Sequence, residues 1–153
     1  MLARTHIAAG FLAGLALMPY LQIKGKALFM FIVLLGALMP DIDHPNSKLG
    51  RKLGIISSML RFIFGHRKLF HSLLFVILIS LLGYYFNNEA GIALFIGCTT
   101  HLIADSVTKQ GLNIFYPISS FHVSGFIETG GFYETLLFLI LLILIAVKTI
   151  TLF

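Results

Sequence analysis

Histidines and carboxylates gather at the ends of apolar stretches in this 153-residue chain. The groups are His6; Asp41, Asp43 and His44 in Pro40-Asp41-Ile42-Asp43-His44; His66 with Arg67; His71 with Ser72; His101 with Asp105 and Thr108; and Glu134 after Gly130-Gly131. Five of the six histidines fall in these groups. Imidazole and carboxylate together are the donor set of a hydrolytic metal centre. In so apolar a chain an ionisable group is costly, and its usual reason is function.

Spacing says which donors can converge. His101 and Asp105 are four residues apart on a predicted helix, so they share a face and suit one metal. Thr108 follows on that face as a group able to orient a ligand. Pro40 ends regular helix and frees the next residues to turn inward. Asp41 and Asp43 repel each other unless a cation neutralises them. His71, deeper in apolar sequence than His66, is the better ligand, with Ser72 beside it as a supporting group. Arg67 offers a fixed fork to phosphate or carboxylate and, with His66, is a candidate for catalysis. Gly10 and Gly14 behind His6 allow a close helix approach that brings His6 towards the others. Glu134 reads as metal ligand or general base, although a carboxylate at a helix start is also stabilised by the dipole alone. Each group has such a bland alternative: a helical His–Asp hydrogen bond, a water-facing cap, one more loop charge. His122, in an aromatic loop, reads as a surface residue.

Composition decides what must position these residues. The chain is 58% hydrophobic and 11% charged, against about 25% charged in soluble domains. Mean hydropathy is +0.97. This is an integral membrane protein of one domain, residues 1–153, and the fold class is an all-α polytopic helical bundle. Five apolar segments are expected, at about His6–Leu21, Ala27–Met39, Leu69–Phe86, Gly91–Val107 and Glu134–Phe153. Removal of the first segment as a secretory signal would discard His6 and reorient the rest. A basic amphipathic helix is expected on the membrane surface between Pro45 and Phe64, where apolar pairs recur every four residues. The loop from Gly111 to Gly131 is too aromatic for open water and is expected to dip into the interface. Cys98 reads as a packing residue.

The net charge of +5 does not point to nucleic acid. Lys48, Arg51, Lys52, Arg61, Arg67 and Lys68 share one loop, as the positive-inside rule predicts. That loop is therefore cytoplasmic, with the N-terminus inside and the C-terminus outside. Counting along the segments puts every donor group at the cytoplasmic end. One catalytic zinc takes three protein ligands and a water. The eight candidates His6, Asp41, Asp43, His44, His71, His101, Asp105 and Glu134 leave room for two ions, or for one ion and a general base. Zinc fits best, and manganese or iron suits the same donors.

The ordered motifs match a family. His6, Pro-Asp-x-Asp-His, His-Arg-x-x-x-His-Ser, His-x-x-x-Asp-x-x-Thr-x-x-Gly ending at Gly111, Tyr116-Pro117 and Gly-Gly-x-x-Glu resemble the YdjM-like family of inner-membrane proteins. The resemblance runs from His6 to Glu134 and implies a LexA-regulated, membrane-bound, metal-dependent hydrolase. The His-x-x-x-Asp element is also similar to helical ligands of zinc-dependent phospholipase C and its nuclease relatives. The leading expectation is hydrolysis of a phosphoester in a membrane lipid or lipid-linked substrate at the cytoplasmic interface. The alternatives are a transporter or proton/metal conduit, and a structural metal site in a non-catalytic membrane protein. Substrate and oligomeric state are not encoded in any motif.

Overall fold

The computed structural model describes residues 1–44, 52, 54–64 and 68–152. Among them the regular elements are all helical: α1 (Ala3–Leu17), α2 (Lys26–Leu38), α3 (Ile55–Phe64), α4 (Leu73–Phe86), α5 (Asn88–Ser106) and α6 (Phe132–Leu152). Short 3-10 turns follow α1 at Met18–Tyr20 and α2 at Met39–Asp43. Each of these turns carries a proline early, Pro19 and Pro40. A proline cannot donate the amide that would continue the preceding helix.

Side-chain caps set two starts. Asn87 accepts from Ala90 N at 3.0 Å and opens α5. Ser72 accepts from Phe75 N at 3.3 Å and opens α4 at Leu73. α4 therefore begins four residues later than the apolar run from Leu69 suggests. His71 stands outside the helix, just before its cap, because Ser72 is extended there and Oγ takes the first orphan amide.

α5 is central and packs on α1, α2 and α4, while α6 packs on α1. Glycine allows the closest contacts. A Cβ on Gly97 would run into the Val33 carbonyl and lie 2.8 Å from Ala37 N. A Cβ on Gly10 would lie 2.8 Å from Ala37 Cβ, and one on Gly14 2.9 Å from Met30. Gly97 lets α5 pack backbone against backbone on α2, and Gly10 and Gly14 let α1 lie close over the α2 side chains. Phe29, Val33, Ala93 and Ile96 fill one core cluster; Val76, Cys98, Leu102 and Leu112 fill another. Cys98 is fully buried there as a packing residue.

The outer surface is apolar. Leu78, Leu81 and Leu82 of α4 and Leu139, Ile143 and Val147 of α6 are exposed. Such a surface is foreign to a monomer in water. Among the described residues one helix, Phe132–Thr151, is long and apolar enough to cross a membrane; Leu73–Phe86 is apolar but shorter. α3 lies against the Met39–Asp43 turn and exposes Ile55, Met59 and Phe62. The segment between α5 and α6 is irregular, tied by the isolated bridges Thr108–Ile127 and Leu112–Val123. It exposes Phe115, Ile118, Phe121 and Phe126.

Candidate metal centre

The start of α1, the end of α2, the approach to α4 and the end of α5 meet at one end of the bundle. Four side chains from three of these places converge there. His71 Nε2 lies 3.4 Å from His101 Nε2. Asp105 Oδ2 is 3.6 Å from His71 Nε2 and 3.7 Å from His101 Nε2. Asp41 Oδ1 is 3.7 Å and 4.0 Å from the same two nitrogens. A tetrahedral ion whose ligands are about 2.0–2.2 Å away holds its donors roughly 3.3–3.6 Å apart. The donors His71, His101, Asp41 and Asp105 therefore form a cage that needs only a slight contraction to grip such an ion.

The tautomer of His101 suits this use. Its Nδ1 lies 2.8 Å from the Ala37 carbonyl, which only accepts, so Nδ1 donates. Nε2 then turns a lone pair into the cage, the arrangement that fixes histidines in metal sites. The close approach of α2 and α5 at Gly36 and Gly97 brings that carbonyl within reach. The other face of His101 is covered by His6, whose ring stacks on it at 3.8 Å and 9°.

Carboxylates surround the cage. Asp43 Oδ1 is 3.9 Å from His71 Nδ1, on the far side of the ring from the cage. At that distance the pair is an ion-pair contact and not a hydrogen bond; a small approach would let Asp43 orient His71. Asp105 turns Oδ2 to the cage and Oδ1 outward, 3.3 Å from His6 Nε2. The N-terminal amine of Met1 also donates to Asp105 Oδ1. Burial alone would push the Asp41 carboxyl up. The His71 side chain and the His101 and His6 rings outweigh it and hold the group below the usual carboxylate range, ionised as a ligand must be.

Other candidates stand apart from the cage. Glu134 is fully buried, and its Oε1 accepts from Leu2 N at 2.6 Å and Thr5 Oγ1 at 2.7 Å. Its Oε2 accepts from Gly130 N at 2.6 Å. These bonds tie the start of α6 to the start of α1, and Glu134 belongs to neither donor group around the cage. Thr108 Oγ1 donates to the Asp105 backbone carbonyl at 2.7 Å, so it steadies the ligand through its backbone. Ser72 Oγ donates to Leu69 O at 2.7 Å while capping α4, which holds the turn bearing His71. His44 is the half-buried C-cap of the Met39–Asp43 turn, outside both donor groups. His66 and Arg67 lie outside the described residues. His122 pairs with Asn113 Oδ1 at 2.9 Å on the surface.

Two contributors carry no donor motif: the Ala37 carbonyl and Thr5. Every residue has a carbonyl, so only the small residues on the facing helices, Gly36 and Gly97, hint at the first. Thr5 directly precedes His6, and its partner lies 129 residues away.

Helices alone as regular elements among the described residues, an apolar exterior and a buried His–Asp cluster make the architecture of a membrane protein with a candidate metal centre. The family model described as YdjM inner membrane protein matches residues 1–153, and the chain belongs to that family. A relative from Bacillus subtilis (strain 168), named "Uncharacterized protein YvsG", is 34% identical over 139 residues, covering 89% of this chain and 86% of the relative. "Inner membrane protein YdjM" of Escherichia coli (strain K12) is 36% identical over 91 residues, 55% of this chain. The protein of that name from Shigella flexneri aligns to the same extent. In both cases the match spans 46% of the relative's length. No solved structure matches the chain. Family membership supports an inner membrane location.

Proposed function

We propose that the protein is a membrane-embedded, metal-dependent hydrolase that cleaves a phosphoester of a lipid or lipid-linked substrate at the cytoplasmic interface. The observation that carries this reading is the cage of His71, His101, Asp41 and Asp105, with the two imidazole nitrogens 3.4 Å apart and each carboxylate oxygen 3.6–4.0 Å from both. These residues would hold the divalent cation, with zinc favoured and manganese or iron suited to the same donors. When bound, such a cation activates water and stabilises charge developing on a phosphoryl oxygen.

The chain's own residues divide the remaining work. His101, anchored on Ala37, and His71, with Asp43 behind it, supply the imidazole nitrogens. The Asp41 side chain is 12% exposed, whereas those of His71, His101 and Asp105 are at 0%. Substrate therefore approaches from the Met39–Asp43 turn. α3 packs on that turn and turns Ile55, Met59 and Phe62 outward, a surface suited to acyl chains. The basic residues before and within α3 suit an anionic headgroup, and Arg67 remains the candidate phosphate fork. Five apolar segments crossing or entering the bilayer, with the N-terminus inside, bring the cage to the cytoplasmic face.

The test is turnover with metal content measured beside it. The full chain in mild detergent, loaded with zinc or manganese, is offered phosphatidate and phosphatidylglycerol in mixed micelles. Wild type is expected to release product, and His101→Ala and Asp105→Ala to lose at least 100-fold. Loaded protein without turnover on any phospholipid would favour a structural metal site. Metal-free protein that conducts ions in proteoliposomes would sink the hydrolase reading.

A further inference from the structure

The cluster holds more donors than one cation can use. We propose that the centre takes two divalent cations, bridged by the Asp105 carboxylate, with His6 a ligand of the second. The inference rests on the metal reading above and adds a second position to it.

His101 limits how the donors can be shared. Two donor trios surround the cage, His6–Asp41–His101 and His71–His101–Asp105, and both include His101. Its Nδ1 is engaged by Ala37 O, so only Nε2 remains, and one imidazole lone pair serves one cation. With His101 given to the cage, the first trio retains His6 and Asp41.

Asp105 supplies what that trio has lost. Its Oδ2 faces His71 and His101, while Oδ1 lies 3.3 Å from His6 Nε2. That spacing equals the separation of roughly 3.3–3.6 Å between donors that share one tetrahedral ion. One carboxylate thus presents an oxygen to each position, as bridging carboxylates do in two-metal sites with ions about 3.5–4 Å apart.

His6 is the independent sign of a missing partner. The ring is completely buried, and neither nitrogen makes a hydrogen bond. Its Nε2 has only the ion-pair contact with Asp105 Oδ1 at 3.3 Å. A buried polar group in this state calls for an explanation such as an ion. Its position is set by α1 packed on α2 at Gly10 and by the stacking on His101. A cation beside His6 Nε2 and Asp105 Oδ1 satisfies the ring, with the Asp41 carboxylate shared between this position and the cage. Nitrogen mixed with carboxylate suits zinc or manganese.

The competing arrangement has one ion, with the Met1 amine supplying the positive charge at Asp105 Oδ1. Titration of chelator-stripped full-length protein with manganese separates the two. Bound ions are counted by mass spectrometry, and the ion environment is read by electron paramagnetic resonance. Wild type is expected to saturate at two ions per chain with an exchange-coupled spectrum. His6→Gln is expected to saturate at one, with an uncoupled spectrum. Saturation of wild type at one ion, or two coupled ions in His6→Gln, would overturn the proposal. Should His6→Gln fail to elute as wild type does, the wild-type count and spectrum decide alone. No substrate enters the measurement. Two ions without phospholipid turnover would therefore sink the hydrolase reading and leave this one, and one ion with turnover would do the reverse.

Discussion

Asp41 and Asp43 are two residues apart and do different work. The 3-10 turn directs Asp41 Oδ1 to the cage and Asp43 Oδ1 to the outer nitrogen of His71, 3.9 Å away. A carboxylate behind a metal-binding imidazole orients it and raises its basicity, and its loss typically weakens binding about 10–100-fold. Asp43→Asn is therefore expected to lower metal affinity by that factor while keeping the site fillable at high metal. Competition against a chelating dye measures it, and wild-type affinity would remove Asp43 from the centre. The donor types and their rough company are legible in the sequence at this scale. The division of labour is not, because it depends on ring orientation. Glu134 illustrates this: a lone carboxylate at a helix start reads equally as ligand, base or cap, and only Leu2, Thr5 and Gly130 around it decide where its oxygens point.

The helices hold the cage through contacts that small residues permit. Val33 and Ala37 of α2 meet Gly97 of α5, one helical turn before His101. Gly97→Val would push the backbones apart and lift Ala37 O from His101 Nδ1. Overpacking of this kind costs about 1–3 kcal/mol. The variant is expected to unfold earlier in detergent denaturation and to bind metal more weakly; unchanged stability with unchanged affinity would argue that the helices tolerate separation. Segment positions are legible from hydropathy, since α2 at Lys26–Leu38 nearly coincides with the run from Ala27 to Met39. Ends are less so. The apolar run from Leu69 conceals the Ser72 cap, because hydropathy does not register a hydroxyl that takes a backbone amide. A 3-10 turn after Pro40 is equally invisible to periodicity.

At the scale of the molecule, one end collects the donors and the other is held by a different device. There Glu89 accepts from Lys24 N at 2.9 Å and from Gly25 N at 3.3 Å, joining the α1–α2 and α4–α5 connections. The basic stretch from Lys48 to Lys68 follows the donor-bearing turn in sequence, and the orientation proposed above, by the positive-inside rule, turns the donor end to the cytoplasm. A phosphatase reporter fused after Phe153 is expected to be active outside the membrane, and activity only of a cytoplasmic reporter there would invert the molecule. Either outcome leaves the cage intact, since its donors lie together whichever way the chain inserts. The decisive observation is therefore metal content. Wild-type protein purified without chelator should carry at least one divalent ion per chain, and His101→Ala, at equal fold and yield, should carry almost none. Wild type that stays metal-free after incubation with zinc and manganese, or His101→Ala that retains its full complement, would contradict the metal centre proposed here.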